Sequence, residues 1–133
     1  MEAKPTMPQD DKYHVSWNEY QIDVTLLADQ IRFAMDRMRS RFSGIYAIPR
    51  GGLVIAVSLS HMLDIPLIEE GQICEETLIV YDLVDTGRQM KRFEKYHTAV
   101  LYRKDTTKVE ADYCVDTINS WIILPWETDE STY

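Results

Sequence analysis

The sequence predicts an α/β domain of three layers built on a mainly parallel sheet. Three observations carry that expectation. Short apolar runs bounded by Gly and Pro alternate with longer amphipathic stretches in the first half of the chain. One such run, Gly44 to Ile48, passes through Pro49-Arg50-Gly51-Gly52 directly into a stretch with the length and composition of a helix. Further short apolar runs then follow, separated by turn residues. A chain of 133 residues with 45% hydrophobic content amounts to one domain, long enough to bury a core.

Taken in order, residues 1 to 12 are polar, contain two Pro and read as a loose lead-in. The single domain is expected over 13 to 127, with an acidic tail from 128 to 133. Ser16 and Glu19 have the capping-box spacing, in which hydroxyl and carboxylate satisfy orphaned backbone donors at a helix start. Val24, Leu27, Ile31, Ala34, Met38 and Phe42 then recur at three- and four-residue steps, predicting a helix from Trp17 to about Arg41. Its other face, with Asp23, Asp29, Arg32, Asp36, Arg37 and Arg39, reads as solvated. A buried strand over Gly44 to Ile48 and a helix over Leu53 to Leu63 come next. Pro66 to Glu69 is a short strand candidate and Thr77 to Tyr81 a stronger one. Gln89 to Tyr96 predicts a helical turn or two, and Thr98 to Arg103, Ala111 to Asp116 and Trp121 to Leu124 complete the strands.

Composition excludes several functions. A formal charge of −8 leaves no broad basic face, so a polymeric nucleic-acid partner is disfavoured. The most apolar stretch, ending at Leu63, is roughly half a membrane span and carries two Ser and a His, so no membrane is expected. The N-terminus shows no basic start followed by an apolar run, hence no secretory signal, and a cytoplasmic location is expected. Cys74 and Cys114 lie far apart without metal spacing and read as two reduced thiols. His14, His61 and His97 have no metal spacing either.

Ligands in an open parallel sheet sit beyond the carboxyl ends of the strands, and both unusual turns fall there. In the first turn, adjacent glycines allow close backbone approach and Arg50 offers a planar fork of donors for phosphate oxygens. The same residues also suit an ordinary tight turn with a surface Arg. In the second, Asp85, Thr86 and Gly87 followed by Arg88 and Gln89 can offer successive N–H groups, a hydroxyl and a cation to one phosphate. An Asp-rich turn capping a short helix is the alternative. Carboxylates do not bind phosphate directly; they accept hydrogen bonds from sugar hydroxyls or hold Mg²⁺ between a sugar and a diphosphate. A sugar phosphorylated at both ends uses both turns at once.

On these residues the chain resembles the type I phosphoribosyltransferases, nearest the bacterial xanthine–guanine (purine) branch. "AIPRGGLVIAVSLSHMLDIP" is similar to the family's diphosphate-binding turn and helix, "IVYDLVDTG" to its signature for 5-phosphoribosyl-1-diphosphate (PRPP), and "SWIILPWE" to the purine-specific C-terminal segment. The likeness runs from about Tyr13 to Glu127. It implies a sheet of the type I kind with a small C-terminal purine-binding segment. The implied activity is transfer of phosphoribosyl from PRPP to guanine, xanthine or hypoxanthine in purine salvage, yielding a nucleotide monophosphate and diphosphate. It further implies Asp85 as general base near purine N7, Thr86, Gly87, Arg88 and Gln89 around the 5′-phosphate, and Asp82 on the ribose hydroxyls. Arg50 and Gly51 fall on the diphosphate, Lys104 on the purine 6-oxygen, Trp121 stacked on the base, and the Ile122 carbonyl at the 2-position. Asp82 and, through water, Glu127 are the implied ligands of Mg²⁺, and the implied assembly is a homo-oligomer, dimer or tetramer.

The chain departs from the family pattern in three places. Tyr81-Asp82 replaces two adjacent acids; Arg88 and Gln89 replace the usual Gly or Lys and a hydroxyl residue; and only "LIEEGQICEET" separates Pro66 from Leu78, where the family carries a much longer closing loop. The short segment leaves a second possibility: a lidless, catalytically weak regulatory protein that binds PRPP or a purine nucleotide. The LVDTG string also occurs in aspartic proteases of the retroviral kind, where each chain supplies half of a coupled acid pair. Arg88 and the long amphipathic helix speak against that all-β class.

Overall fold

The computed structural model describes residues 12–128. The lead-in expected over 1 to 12, apart from Lys12, and the acidic tail from 129 onward lie outside the described residues.

Helix α1, Trp17–Met38, starts as its capping residues require: the Glu19 N–H donates to Ser16 Oγ at 3.0 Å, and the Ser16 N–H donates to Glu19 Oε1 at 3.5 Å. It stops at Met38 rather than Arg41, because Arg39 turns left-handed (φ 52°) and donates to the carbonyls of Asp36 and Met35. Phe42 is still buried, but outside the helix, with its ring edge-on to His97 and Tyr113. That placement explains why the apolar period ran past the helix end. The buried stripe is Tyr20, Asp23, Val24, Leu27, Ala28, Ile31 and Met35, while Met38 is exposed.

Asp23, expected in solvent, is therefore a core residue, 1% exposed. A buried carboxylate needs partners, and the hydroxyl of the fully buried Tyr102 donates to it. Burial, then the bond to Asp23 and its charge, raise the Tyr102 hydroxyl well above the usual phenol range.

Strands β2 (Gly44–Ala47), β3 (Thr77–Val84), β4 (His97–Lys104) and β5 (Tyr113–Ile118) form a four-stranded sheet in the order β2-β3-β4-β5, with every pair parallel. All eight residues of β3 are buried, as expected for an interior parallel strand covered on both faces. Helix α1 and helix α2, Gly52–Leu63, cover one face through Leu27, Ile31, Ile55 and Leu59 against Ile45, Leu78, Ala99 and Leu101. The other face packs Tyr46, Ile79 and Val100 against Met90 of the short helix α3 (Arg88–Lys91) and Phe93 of the turns after it, with Ile68 and Ile73 alongside. The three layers are present, the third of them thin.

The strand expected over Pro66 to Glu69 reduces to one bridge, Leu67 to Ile45, with hydrogen bonds from Ile45 N–H to Pro66 O and from Ile68 N–H to Ile45 O, both 2.9 Å. Pro66 has no N–H to extend the ladder. The segment continues into a 3-10 turn, Glu70–Gln72, and is pinned to the second face: Tyr46 Oη donates to Glu70 Oε1 at 3.1 Å, and Arg92 Nη2 lies 2.7 Å from Glu70 Oε2.

Beside the main sheet, β1 (Lys12–His14) pairs in parallel with β6 (Trp121–Ile123), a two-stranded hood. No strand is legible at Lys12–His14 in the sequence, since three residues, two of them polar, show no apolar alternation. Among the described residues, no helix is long and apolar enough to cross a membrane, and both cysteines are free.

The Asp23–Tyr102 bond ties α1 to β4 in the core, so Tyr102→Phe is expected to lower unfolding free energy by about 1.5–3 kcal/mol, the range for a hydrogen bond to a charged group. Urea denaturation of the two proteins measures it; a change under about 0.5 kcal/mol refutes the role.

Candidate active site

The first unusual turn joins β2 to α2 at the carboxyl end of the sheet. The Ile48 N–H donates to Val80 O, and the Gly52 N–H to Ile48 O, both at 2.9 Å, which hold the turn against β3. The peptide between Pro49 and Arg50 is cis. Neither glycine has room for a side chain: a Cβ on Gly52 would sit 2.3 Å from Val80 O, and one on Gly51 would sit 2.5 Å from Asp82 Oδ2. The close approach is what these two glycines supply.

That second contact brings the two turns together. Asp82, near the end of β3, is 1% exposed, and its Oδ1 accepts the Leu83 N–H at 2.7 Å. Burial, and then the charge of Glu127, push its carboxyl up to about 7, against the opposing effect of the backbone donors. Tyr81 beside it is pushed up to about 12 by burial and by the charges of Asp82 and Glu127. Glu127 is itself raised by burial, with the Leu124 N–H and the Arg50 guanidinium acting the other way. Arg50, Gly51, Asp82 and Glu127 thus share one locality, although they come from three separate parts of the sequence.

Beyond Asp82, the residues Asp85, Thr86, Gly87, Arg88 and Gln89 line a cavity of about 160 Å³ together with Tyr81, Leu83, Val84 and Met90. Gly87 is left-handed at φ 82° and is followed by α3, whose first N–H, that of Arg88, donates to Thr86 Oγ1 at 3.2 Å. One of the amides expected to be open is therefore already engaged by a neighbouring hydroxyl. Asp85 is half-buried, and Thr86, Arg88 and Gln89 are exposed to the cavity mouth.

The remaining predicted residues lie at the same end of the sheet. Lys104, half-buried, is the last residue of β4 and pairs with Ile118 at the end of β5. Two residues, Asn119 and Ser120, then lead to Trp121, half-buried on β6 opposite Lys12, and to Ile122, buried opposite Tyr13.

Two features of the site escaped the sequence reading. Trp126 closes an aromatic trio with Trp17 and Tyr20, at centroid distances of 6.1 and 5.2 Å, and so anchors the segment that carries Glu127. Tyr20 is fixed in turn by a 2.6 Å hydrogen bond with Ser58 Oγ on α2. The "PWE" string held that signal, but nothing local said which aromatics would meet it. Arg103, given no role above, donates from Nη2 to Thr107 O at 3.0 Å.

An open parallel sheet that joins an Arg-Gly-Gly turn to an Asp-Thr-Gly turn at its strand ends, with a small hood alongside, defines the type I phosphoribosyltransferase class. No family model matches the chain. It is 31% identical to the xanthine–guanine phosphoribosyltransferase of Desulfotalea psychrophila over 88% of this chain and 87% of that one, and 28% identical to the enzyme of that name from Nitratidesulfovibrio vulgaris over 88% and 85%. Its fold matches the crystal structure of a purine phosphoribosyltransferase from Pyrococcus horikoshii with a TM-score of 0.77 at 28% identity, over 92% of this chain and 99% of that one. The chain belongs to the xanthine–guanine phosphoribosyltransferase family, and it is a purine phosphoribosyltransferase, an enzyme of the glycosyltransferase type.

The Asp82 carboxyl gives a pH-dependent prediction. Between its ordinary 3.8 and about 7 the folded protein keeps a proton that the unfolded chain has lost. The contribution of Asp82 to stability is therefore greatest below about 4, declines as pH rises to about 7 and is level above that. Asp82→Asn removes the decline and can still accept from the Leu83 N–H. It is expected to out-stabilise the wild type at pH 8, with a ceiling of about 4 kcal/mol, and to lose that advantage at pH 4. Denaturation midpoints at the two pH values decide it; an equal difference at both refutes the buried-acid reading.

Proposed function

We propose that the enzyme transfers the 5-phosphoribosyl group of PRPP to a 6-oxopurine, guanine, xanthine or hypoxanthine, in purine salvage in the cytoplasm, releasing diphosphate. The observation that carries the reading is the contact of Asp82 with Gly51, which sets the two turns side by side, so that a ribose phosphorylated at both ends can span them. Arg50 and the Gly51 backbone hold the diphosphate, Thr86 to Gln89 hold the 5′-phosphate, and Asp82 takes the ribose hydroxyls between them.

A ring nitrogen of the purine attacks C1′ as the C1′–O bond to diphosphate breaks and the bonding pair leaves with the diphosphate. The proton on purine N7 passes to Asp85, at the cavity wall. Lys104, at the end of β4, donates to the 6-oxygen, Trp121 stacks on the base, and the Ile122 carbonyl reads the 2-position. Binding all parts in one orientation removes most of the entropic cost of the encounter.

The residues present fit Mg²⁺. Asp82 is raised by burial and then by the charge of Glu127, and Glu127 is raised by burial, the response a divalent cation relieves. Among the described residues, no group of three or more His, Cys, Asp or Glu is arranged around a metal. That suits an ion which keeps waters and takes the rest of its ligands from sugar and diphosphate. When bound, it neutralises the leaving diphosphate. Family likeness supports a homo-oligomer, dimer or tetramer, as the working form.

A second reading is favoured by one observation. The 67–77 segment is short and is pinned to the sheet through Tyr46, Glu70 and Arg92, so it supplies no closing loop of the usual length. A protein that binds PRPP or a purine nucleotide, turns over weakly and regulates another process is consistent with that. Titrating the protein with Mg²⁺–PRPP and with GMP or XMP by calorimetry, then assaying guanine, xanthine and hypoxanthine, separates the two. Binding with turnover supports the transferase, binding alone supports the sensor, and neither overturns both. Asp85→Asn is expected to cut turnover by about 10²–10⁴-fold while PRPP affinity stays near wild type; a fully active variant refutes Asp85 as the base.

A further inference from the structure

The β4–β5 connection, residues 105 to 112, links two parallel strands without a helix and crosses the second face of the sheet instead. It is held at one point from three sides. The Thr107 N–H donates to Lys104 O at 3.1 Å, Arg103 Nη2 donates to Thr107 O at 3.0 Å, and Thr107 Oγ1 accepts the Val109 N–H at 3.3 Å. From that anchor Val109 projects onto the turn between β3 and α3. A Cβ added to Gly87 would stand 2.2 Å from Val109 Cγ2, so the side chain occupies the space that opens above the left-handed glycine.

Behind Val109 and Met90 lies a second cavity, of about 290 Å³, whose walls include Glu94, Lys95, His97 and Asp112. Met90 borders both cavities, and Val109 stands between the second cavity and Gly87. Val109 thus lies against the turn with the second cavity beyond it, and Met90 stands between the two cavities. Removing either side chain leaves a gap into which the backbone can relax.

The geometry points to Val109 as a positioning residue for PRPP: it fixes Gly87 and with it the amides of the Thr86–Gln89 turn. Through Thr107 the same connection is tied to the backbone of Lys104. One rigid ledge therefore spans from the purine end of the pocket to the 5′-phosphate end, a fixed wall in a chain whose 67–77 segment is docked elsewhere. The inference rests on the reading of Thr86 to Gln89 as the phosphate turn.

The test uses the full chain with Val109→Ala, which empties the contact, and Val109→Phe, which stays apolar but presses on Gly87. Calorimetric Mg²⁺–PRPP affinity and steady-state KM for PRPP and for guanine are measured on both and on the wild type. Displacing the turn in either direction is expected to weaken PRPP affinity about fivefold or more, while KM for guanine stays within about twofold. A merely structural residue would lower the melting temperature without that split between substrates. Wild-type PRPP affinity in both variants, or equal losses for both substrates, overturns the role of Val109 and leaves the transferase reading standing. Absence of PRPP binding by the wild type removes that reading, and this inference with it.

Discussion

Two missing side chains set the geometry on which the site depends. Gly52 lets the start of α2 press onto the Val80 carbonyl, and Gly51 lets the turn meet the Asp82 carboxylate. A methyl group on Gly52 would meet the Val80 backbone and push α2 away from β3, and one on Gly51 would displace the Asp82 carboxylate. Everything proposed for the pocket assumes that these two strand tips touch, so backbone sterics come before charge in this protein. The electrostatics follow from the closeness: Asp82 is buried under the turn, and Glu127 lies near enough to raise it further.

The hood answers to a different kind of force. Tyr20 meets both Trp17 and Trp126 edge to face, an arrangement that aromatic quadrupoles favour, and the two Trp rings lie tilted against one another. Through Trp126 this cluster sets where Glu127 stands, and β6 pairs with β1 beside it. Residues at opposite ends of the sequence therefore build the hood together.

Much of this was legible before any coordinates. The capping box at Ser16 and Glu19 marked the start of α1, the buried apolar runs marked β2, β3 and β4, and both glycine turns fell at strand ends as read. The failures share a cause, since each depended on a partner distant in sequence. Asp23 looked solvated because its helical neighbours are charged, and only Tyr102, far along the chain, explains its burial. Met38 continued the periodic stripe, yet the helix turns over at Arg39 and Phe42 completes the core from outside it. Pro66 to Glu69 looked like a strand by composition, but a residue without an N–H cannot sustain a ladder. The residues expected at the site lie at one end of the sheet, whereas the contacts of Trp126 with Tyr20 and of Val109 with Gly87 join parts of the chain that nothing local pairs.

The pinned segment after α2 has a consequence for solubility. Strand β2 is an edge of the sheet, and an uncovered edge is a template for intermolecular pairing and aggregation. Leu67 bridges to Ile45 across that edge and Pro66 ends the pairing there, so the rim is occupied by a strip of chain that cannot propagate the ladder outward. The stretch after α2 is long enough to guard the margin of the sheet. Trimming it further would expose that margin to other copies of the protein.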